Sequence, residues 1–140
     1  MRRRIFVDTS AWIALVDESD RHHQKAKSYY EQHIKQRGVE LITSDYVIDE
    51  TLTVIRYRMG LTYARRFWHS IEQAPDQNIL KMFRIEETTW SAALAMFFQY
   101  DDQDFSFTDC TSFALLCQEP VDAVFSFDKD FVVAGFLMEP

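Results

Sequence analysis

The architecture of the chain is indicated by the stretch Ile5-Phe6-Val7-Asp8-Thr9-Ser10. Three apolar residues in succession are typical of a strand that is buried on both faces of a parallel sheet. Asp8 follows this strand directly, and the hydroxyl groups of Thr9 and Ser10 are suited to cap a helix over residues 11–16. A short buried strand that leads at once into a helix predicts an α/β fold with a parallel sheet.

The rest of the chain continues this alternation of short apolar strands and helices. Further strands are predicted at 40–43, 78–84 and 123–125, with a last edge segment at 136–138. Helices are predicted at 22–37, 45–59, 62–74, 86–100 and 109–118. The candidate caps of these helices are Asp20, Ser44 or Asp45, Thr62 and Thr108. The pattern predicts one domain over residues 1–140, with a central parallel sheet of about four to five strands and helices on both faces.

The composition is that of a globular domain, because 47% of the 140 residues are hydrophobic and 26% are charged. No apolar run is long enough to span a membrane, and the first residues contain too short an apolar segment for a signal peptide. Cys110 and Cys117 fall in one predicted helix, about 10 Å apart, which is too far for a disulfide. Free thiols and the lack of a targeting signal predict a cytoplasmic protein.

The net charge of −7 argues against a broadly basic nucleic-acid-binding protein, but it is compatible with an enzyme that gathers acids at a cation site. Four carboxylates occur at strand-to-helix edges, where side chains converge in an open α/β sheet. They are Asp8, Glu50, Asp109 and Asp128. Four converging carboxylates cannot all remain ionised without a counter-charge. Ligation by oxygen alone favours Mg²⁺ or Mn²⁺ over zinc.

Each of these carboxylates also has a simpler structural interpretation. Asp8 is placed to cap a helix, and Asp109 is placed to favour the positive end of a helix dipole. Glu50 is suited to a solvated helix surface. Its neighbour Asp49 points about 100° away from it around the helix, so only one of the two can face a site. Asp128 is suited to a turn after a strand. The four acids therefore indicate a site as a set rather than singly.

The segments that carry these acids form an ordered set along the chain. They are Phe6-Val7-Asp8-Thr9-Ser10-Ala11, Ser44-Asp45-Tyr46-Val47-Ile48-Asp49-Glu50-Thr51-Leu52, Phe105-Ser106-Phe107-Thr108-Asp109-Cys110 and Phe125-Ser126-Phe127-Asp128-Lys129-Asp130-Phe131. In order and spacing, they resemble the PIN-domain ribonucleases of the VapC toxin type. The resemblance extends over nearly the whole chain.

This resemblance implies a PIN fold and a Mg²⁺- or Mn²⁺-dependent endoribonuclease that cleaves single-stranded or loop RNA. The implied metal-binding or water-activating residues are Asp8, Glu50, Asp109 and Asp128. The last acid varies most in position within the family, so Asp130 competes with Asp128 for that role. A hydroxyl that supports the site is implied at Thr9 or Ser10. The resemblance also implies a homodimer and, for a toxin, an antitoxin partner that blocks the site.

An RNA that approaches an acidic pocket needs nearby cations to hold its backbone. Arg56 and Arg58 follow Glu50 on one predicted helix, and Arg65 and Arg66 lie early in the next. We therefore expect an RNA-binding groove at these arginines. The histidines lie outside the motif segments, and we expect them to take no part in catalysis. They are His22, His23, His33 and His69.

Two other classes of protein compete with a nuclease. The first is a catalytically silent PIN-like module with a regulatory or interaction role, because a fold does not fix a function. The second is a phosphatase or phospho-acceptor receiver on a doubly wound sheet. Such proteins need another acid close to Asp8, where this chain has Thr9 and Ser10. The phosphate-binding run of P-loop ATPases, Gly-x-x-x-x-Gly-Lys, is absent from the sequence.

Overall fold

The structure is a computed structural model, and it describes residues 2–36, 38–73 and 80–140. The strands are β1 (Arg3–Val7), β2 (Val39–Ser44), β3 (Leu80–Phe83), β4 (Ala123–Phe125) and β5 (Met138–Glu139). The helices are α1 (Thr9–Val16), α2 (His23–Tyr29), α3 (Asp45–Met59), α4 (Leu61–Gln73), α5 (Glu87–Gln99), α6 (Phe107–Gln118) and α7 (Asp130–Val133). A π-helical turn, Tyr30–Ile34, continues α2.

The five strands form one parallel sheet in the order β3-β2-β1-β4-β5. Successive side chains of a strand point to opposite faces. Ile5, Phe6 and Val7 of β1 are nevertheless all fully buried, so both faces of the sheet are covered at its centre. The predicted α/β class and the predicted parallel sheet of four to five strands are therefore confirmed.

The order of the strands determines where a site can form. The chain runs outward from β1 through β2 to β3 and then returns to place β4 on the other side of β1. The connection that follows β1 therefore leads toward one edge of the sheet, and the connection that follows β4 leads toward the other. A crevice opens between the carboxyl ends of these two strands. Val7 lies opposite Phe125 in the β1–β4 register, so Asp8 and Ser126 are the first residues beyond the sheet at this crevice.

Several predicted element boundaries differ from the structure. The helix predicted at 22–37 is regular only to Tyr29, and after the π-helical turn the chain bends at Lys35 and Gln36. The last strand is Met138–Glu139 rather than 136–138. Arg37, the predicted end of the first of these helices, lies outside the described residues. The same holds for Ala74 and for positions 78 and 79 of the predicted third strand.

One of the predicted helix caps, Ser44, is confirmed, and the others are wrong. Thr9 and Ser10, predicted to cap the first helix, lie within α1, which begins at Thr9 and has Asp8 in the N-cap position. Ser44 caps α3, because its hydroxyl oxygen accepts a hydrogen bond from the backbone N–H of Val47 at 3.1 Å. The predicted caps Thr62 and Thr108 lie within α4 and α6, since these helices begin at Leu61 and Phe107. Asp20 lies three residues before α2, where its carboxylate accepts from the N–H of His22 at 2.8 Å.

None of the described helices is long and apolar enough to cross a membrane. Cys110 and Cys117 are both free thiols on α6, the first buried and the second exposed. The expectation that they form no disulfide with one another is confirmed.

Candidate metal centre

Asp8 lines the crevice at the end of β1. It is 4% exposed, and it precedes α1 in the N-cap position, yet its side chain makes no capping hydrogen bond. Its Oδ2 atom instead accepts hydrogen bonds from the hydroxyl groups of Ser126 at 3.0 Å and of Ser10 at 3.2 Å. Serine hydroxyls therefore orient the Asp8 carboxylate, and this side chain does not cap α1.

The two serines also order the loop that follows β4. The Ser10 and Ser126 hydroxyl oxygens lie 3.1 Å apart, and Ser10 Oγ accepts from the N–H of Phe127 at 2.9 Å. Ser126 Oγ accepts from the N–H of Asp128 at 3.0 Å. The start of α1 and the loop after β4 are thus joined by one hydrogen-bond network.

Asp109 belongs to the first turn of α6, and its backbone position is explained by a capping box. The Ser106 hydroxyl accepts from the N–H of Asp109 at 3.0 Å, and Asp109 Oδ2 accepts from the N–H of Ser106 at 3.2 Å. The same carboxylate is only 9% exposed and lines the crevice. Asp109 therefore both caps the first turn of α6 and lines the crevice.

Asp128 lies in the turn that leads from β4 into α7, and Asp130 is the first residue of α7. Asp128 Oδ1 accepts from the N–H of Asp130 at 3.0 Å, which is the side-chain-to-backbone bond expected of an Asp in a turn. Carboxylate oxygens of Asp109, Asp128 and Asp130 all lie within 4.8 Å of one another, which is close enough for them to share one cation. Asp128 also lines the crevice between β1 and β4, whereas Asp130 is not among the residues that line it.

Glu50 lies on the second turn of α3. It is half-buried and lines the same crevice as Asp8, Asp109 and Asp128, whereas its neighbour Asp49 is exposed. The crevice has a volume of about 200 Å³. The structure therefore brings together the four acids that the sequence analysis singled out.

The carboxylates perturb one another because they are close and poorly solvated. The pKa of Asp8 is raised from its ordinary value of 3.8 to about 6, chiefly by burial and also by the charges of Asp128 and Glu50, although hydrogen bonds to its carboxylate oppose this increase. Burial raises the pKa of Asp109 to about 7, with further contributions from Asp128 and Asp8. Burial and the charge of Asp128 also raise the pKa of Asp130.

This electrostatic state fits a divalent cation. The donors are all carboxylate oxygens, they come from four segments of the chain, and the charges of neighbouring carboxylates help to raise the pKa values of Asp8 and Asp109. Hard cations with oxygen ligands would remove that repulsion and keep the carboxylates ionised near neutral pH. The residues therefore suit a cation of the Mg²⁺ or Mn²⁺ class.

Residues 5–137 match the family model of the PIN domain, which is nearly the whole of the described fold. The chain belongs to the PIN-domain family. This assignment confirms the resemblance found in the sequence segments around the four acids.

This chain is similar to a curated protein of Mycobacterium tuberculosis, the 23S rRNA-specific endonuclease VapC20. The two sequences are 31% identical over 136 residues, which cover 95% of each chain. The crystal structure of M. tuberculosis VapC20, described as a sarcin–ricin loop cleaving toxin, superimposes with a TM-score of 0.83 at 28% identity. That alignment covers 95% of this chain and 96% of VapC20.

Two more distant structures share the PIN fold. One is VapBC2 from Rickettsia felis, bound to a DNA fragment from the promoter, with a TM-score of 0.69, 10% identity and 97% coverage of both chains. The other is FitAcB from Neisseria gonorrhoeae, with a TM-score of 0.68, 14% identity and coverage of 97% of this chain and 96% of that one. At these identities the likeness extends to the fold alone.

The two residues predicted to supply a supporting hydroxyl have different surroundings in this PIN domain. Ser10 bonds to Asp8 and to the loop after β4. Thr9 is buried, and its hydroxyl lies 3.5 Å from the carbonyl oxygen of Val47, at the limit of a hydrogen bond to α3. Sequence reasoning missed Ser126, although it follows β4 directly, just as Asp8 follows β1.

The four arginines expected to bind RNA do not all lie along the crevice. Arg58 lines the crevice, and its guanidinium forms ion pairs with Asp20 at 3.3 Å and with Asp17 at 3.7 Å. Arg56 is exposed on α3, and Arg65 is exposed on α4. Arg66 lines a different, apolar groove and lies 5.5 Å from the centre of the Tyr63 ring. None of these last three is among the residues that line the crevice.

His22 lies outside the motif segments, but it lines the crevice beside the acids. The sequence shows no sign of this position, because the ring on which His22 stacks, Phe127, lies more than a hundred positions away. His23, its neighbour, instead bonds through Nδ1 to the carbonyl oxygen of Ala14 at 2.7 Å, which ties α2 to α1.

Proposed function

We propose that this PIN domain is a Mg²⁺- or Mn²⁺-dependent endoribonuclease that hydrolyses phosphodiester bonds in single-stranded or loop RNA. The observation that supports this most directly is the convergence of Asp8, Glu50, Asp109 and Asp128 on one crevice. The 31% identity with a 23S rRNA-specific endonuclease over 95% of the chain supports a nuclease rather than a silent module.

The acids differ in the hydrogen bonds that hold their side chains. Asp8 is held by two serine hydroxyls, and Asp109 is held by its capping box, so both are fixed before a ligand enters. Asp128 is the nearer candidate for the last acid because it lines the crevice, with Asp130 close enough to assist it. When bound, a divalent cation supplies positive charge to the scissile phosphate and lowers the pKa of the attacking water.

The substrate that best fits these observations is a loop of ribosomal RNA. VapC20 is described as cleaving the sarcin–ricin loop, and the relationship covers nearly the whole of both chains. A crevice about 200 Å³ in volume accommodates a backbone segment rather than a duplex. Arg58, at its edge, is suited to hold a flanking phosphate, with Arg56, Arg65 and Arg66 extending the path of the RNA over α3 and α4.

The decisive experiment compares cleavage by wild-type protein and by Asp8→Asn. The substrates are a hairpin with the sarcin–ricin loop sequence and intact 23S rRNA, each with Mg²⁺, with Mn²⁺ and with EDTA. We expect metal-dependent cleavage that leaves 5′-phosphate and 3′-hydroxyl ends and is lost in Asp8→Asn. Asp49→Asn is the matched control, because Asp49 is an exposed acid beside Glu50. A folded wild-type protein that cleaves neither RNA with either metal contradicts the nuclease proposal.

The similarity to toxins also supports an antitoxin partner and a cytoplasmic location, where ribosomal RNA is found. An apolar groove of about 430 Å³, whose lining includes Trp12, Leu15 and Phe67, offers an apolar surface to an amphipathic helix of such a partner. Copurification with the protein encoded beside this gene, together with loss of RNA cleavage in the complex, tests this proposal. Free cleavage activity in a stable complex contradicts it.

The same family resemblance supports a homodimer. Exposed aromatic side chains on α5 supply apolar surface for it, since Phe97 is 40% exposed and Phe98 is 71% exposed. Light scattering of wild type and of Phe98→Glu tests this assignment, with Leu137→Glu as a control at another exposed apolar position. A monomeric wild-type protein contradicts the dimer.

A further inference from the structure

The crevice is lined by further residues besides the four acids and the hydroxyl residues at the start of α1. They are the polar residues Asp20, His22 and Arg58 and the apolar residues Ile13 and Val54. Asp20 and Arg58 are paired with one another at 3.3 Å. His22 is therefore the polar lining residue whose role remains to be explained.

The His22 ring is held in a defined plane. It stacks on the ring of Phe127, with the ring centres 4.4 Å apart and the planes inclined by 5°. Phe127 is itself fixed by the hydrogen bond from its N–H to Ser10 Oγ at 2.9 Å. At the other end, the backbone N–H of His22 donates to Asp20 Oδ1 at 2.8 Å. The ring is thus attached both to the segment before α2 and to the loop that carries Asp128.

The hydrogen bonds of the ring determine which nitrogen is available to a ligand. Arg21 Nε carries a hydrogen at all relevant pH values and donates to His22 Nε2 at 3.1 Å, so Nε2 is an acceptor and the proton lies on Nδ1. Within the described part of the chain, Nδ1 makes no hydrogen bond. Nδ1 is therefore an N–H donor on a ring that is held by stacking on Phe127 and that lines an acidic crevice.

We propose that His22 is a substrate-binding residue that donates a hydrogen bond from Nδ1 to a phosphate or base oxygen of the RNA beside the scissile bond. Phe127 holds the ring in position for this contact. The inference rests on the proposed nuclease function, which supplies the RNA, but it concerns binding and requires no proton transfer by His22.

Binding is measured separately from cleavage. The probe is a fluorescein-labelled hairpin with the sarcin–ricin loop sequence, bound to Asp8→Asn protein so that the RNA stays intact. In this background, His22→Phe keeps an aromatic ring for the stack but lacks the donor. His22→Asn loses the ring but keeps an N–H near the position of Nδ1. His69→Ala is the control, because His69 is exposed on α4 and does not line the crevice.

We expect His22→Phe to weaken RNA binding about tenfold, the effect of losing one hydrogen bond to a charged group. His22→Asn should retain more affinity than His22→Phe, and His69→Ala should bind like its parent. Melting temperatures close to that of the parent confirm that the variants are folded. Parental affinity in His22→Phe, weaker binding by His22→Asn than by His22→Phe, or no binding of the hairpin by the parent would each overturn the proposal.

The two proposals fail in distinguishable ways. RNA cleavage without an effect of His22→Phe on binding leaves the nuclease function intact and removes His22 from the RNA site. RNA binding that depends on His22, in a protein whose wild type cleaves nothing, supports the His22 contact and contradicts the nuclease.

Discussion

Ser126 and Asp8 occupy equivalent positions on adjacent parallel strands, and the hydroxyl of Ser126 donates to Asp8 Oδ2 at 3.0 Å. Ser126 is fully buried, and the same hydroxyl accepts from the N–H of Asp128. One side chain therefore fixes the carboxylate at the end of β1 and the backbone that carries an acid after β4. This pairing therefore helps to orient two of the acids that we propose to bind a cation.

Replacing Ser126 by Ala should weaken metal binding without unfolding the protein. Removal of groups that orient metal ligands typically lowers metal affinity or activity between about tenfold and a hundredfold. We expect an increase of this size in the Mn²⁺ dissociation constant, measured by isothermal titration calorimetry. Ser70→Ala is the matched control, because Ser70 is exposed on α4 and bonds only to the carbonyl oxygen of Arg66. Equal Mn²⁺ affinity in Ser126→Ala and wild type would show that Asp8 is oriented by other groups.

The stability of the metal-free protein should fall as the pH rises. Asp8 and Asp109 have pKa values of about 6 and about 7 in the folded protein, against an ordinary value of 3.8. A raised pKa means that the folded state holds protons that the unfolded state has already released. The contribution to stability is therefore complete below the unfolded pKa and is lost as the pH rises through the folded values.

Thermal unfolding in EDTA tests this dependence between pH 5 and pH 7.5. We expect the melting temperature of wild type to decrease over this range and that of Asp109→Asn to decrease less, because an amide keeps the shape of the carboxyl group without its charge. Saturating Mn²⁺ should reverse the trend, since ionised carboxylates bind the cation better at higher pH. A metal-free melting temperature that rises with pH in this range would contradict the electrostatic account of the crevice.

Arg58 should contribute more to RNA binding than Arg56, although both follow Glu50 on α3. Only Arg58 of these two lines the crevice. Its guanidinium forms ion pairs with Asp20 and with Asp17. The hydroxyl of Ser19 and the charge of Arg58 keep the pKa of Asp17 below its ordinary value, so this carboxylate remains ionised as a partner.

We expect Arg58→Ala to lower RNA affinity and to reduce the slope of log affinity against log salt by roughly 0.7, the value for one phosphate contact to a single strand. Fluorescence anisotropy over a series of salt concentrations measures both effects, and Mn²⁺ affinity should stay the same. Arg56→Ala serves as the comparison on the same helix. If neither variant changes the slope, the arginines of α3 do not contact the RNA.

The parts of this structure that the sequence predicted are those governed by local pattern. The buried run at β1, the alternation of strands with helices and the position of acids after strands follow from hydrophobic period and from parallel-sheet geometry. These rules predicted that Asp8 and Asp128 lie at one edge of the sheet, whereas Glu50 and Asp109 lie on helices and were predicted as part of the ordered set of segments. Local pattern also predicted Ser44 as a helix cap, because its hydroxyl acts within its own turn.

The parts that the sequence did not predict depend on contacts between distant segments. His22 reaches the crevice because its ring stacks on Phe127, more than a hundred positions away, and no periodicity signals such a pair. Ser126 matters because the β1–β4 register places it beside Asp8. Thr108 was mistaken for a cap because Ser106, two residues earlier, forms the reciprocal bonds of a capping box with Asp109.

Ser112 provides a test of packing that is independent of the metal centre. Its hydroxyl is buried on α6 and has no hydrogen-bond partner among the described residues. A buried polar group without a partner lowers stability by its cost of desolvation. Thr111, the preceding residue, is equally buried, but its hydroxyl donates to the carbonyl oxygen of Thr108 at 2.6 Å.

Ser112→Ala should therefore leave the free energy of unfolding unchanged or raise it by up to about 1 kcal/mol, because it removes an unpaired hydroxyl and little volume. Thr111→Val should lower it by about 1 kcal/mol, because it removes a hydrogen bond while keeping the shape of the side chain. Urea denaturation of the metal-free proteins measures both variants against wild type. A loss of stability in Ser112→Ala as large as in Thr111→Val would mean that the Ser112 hydroxyl has a partner, such as an ordered water.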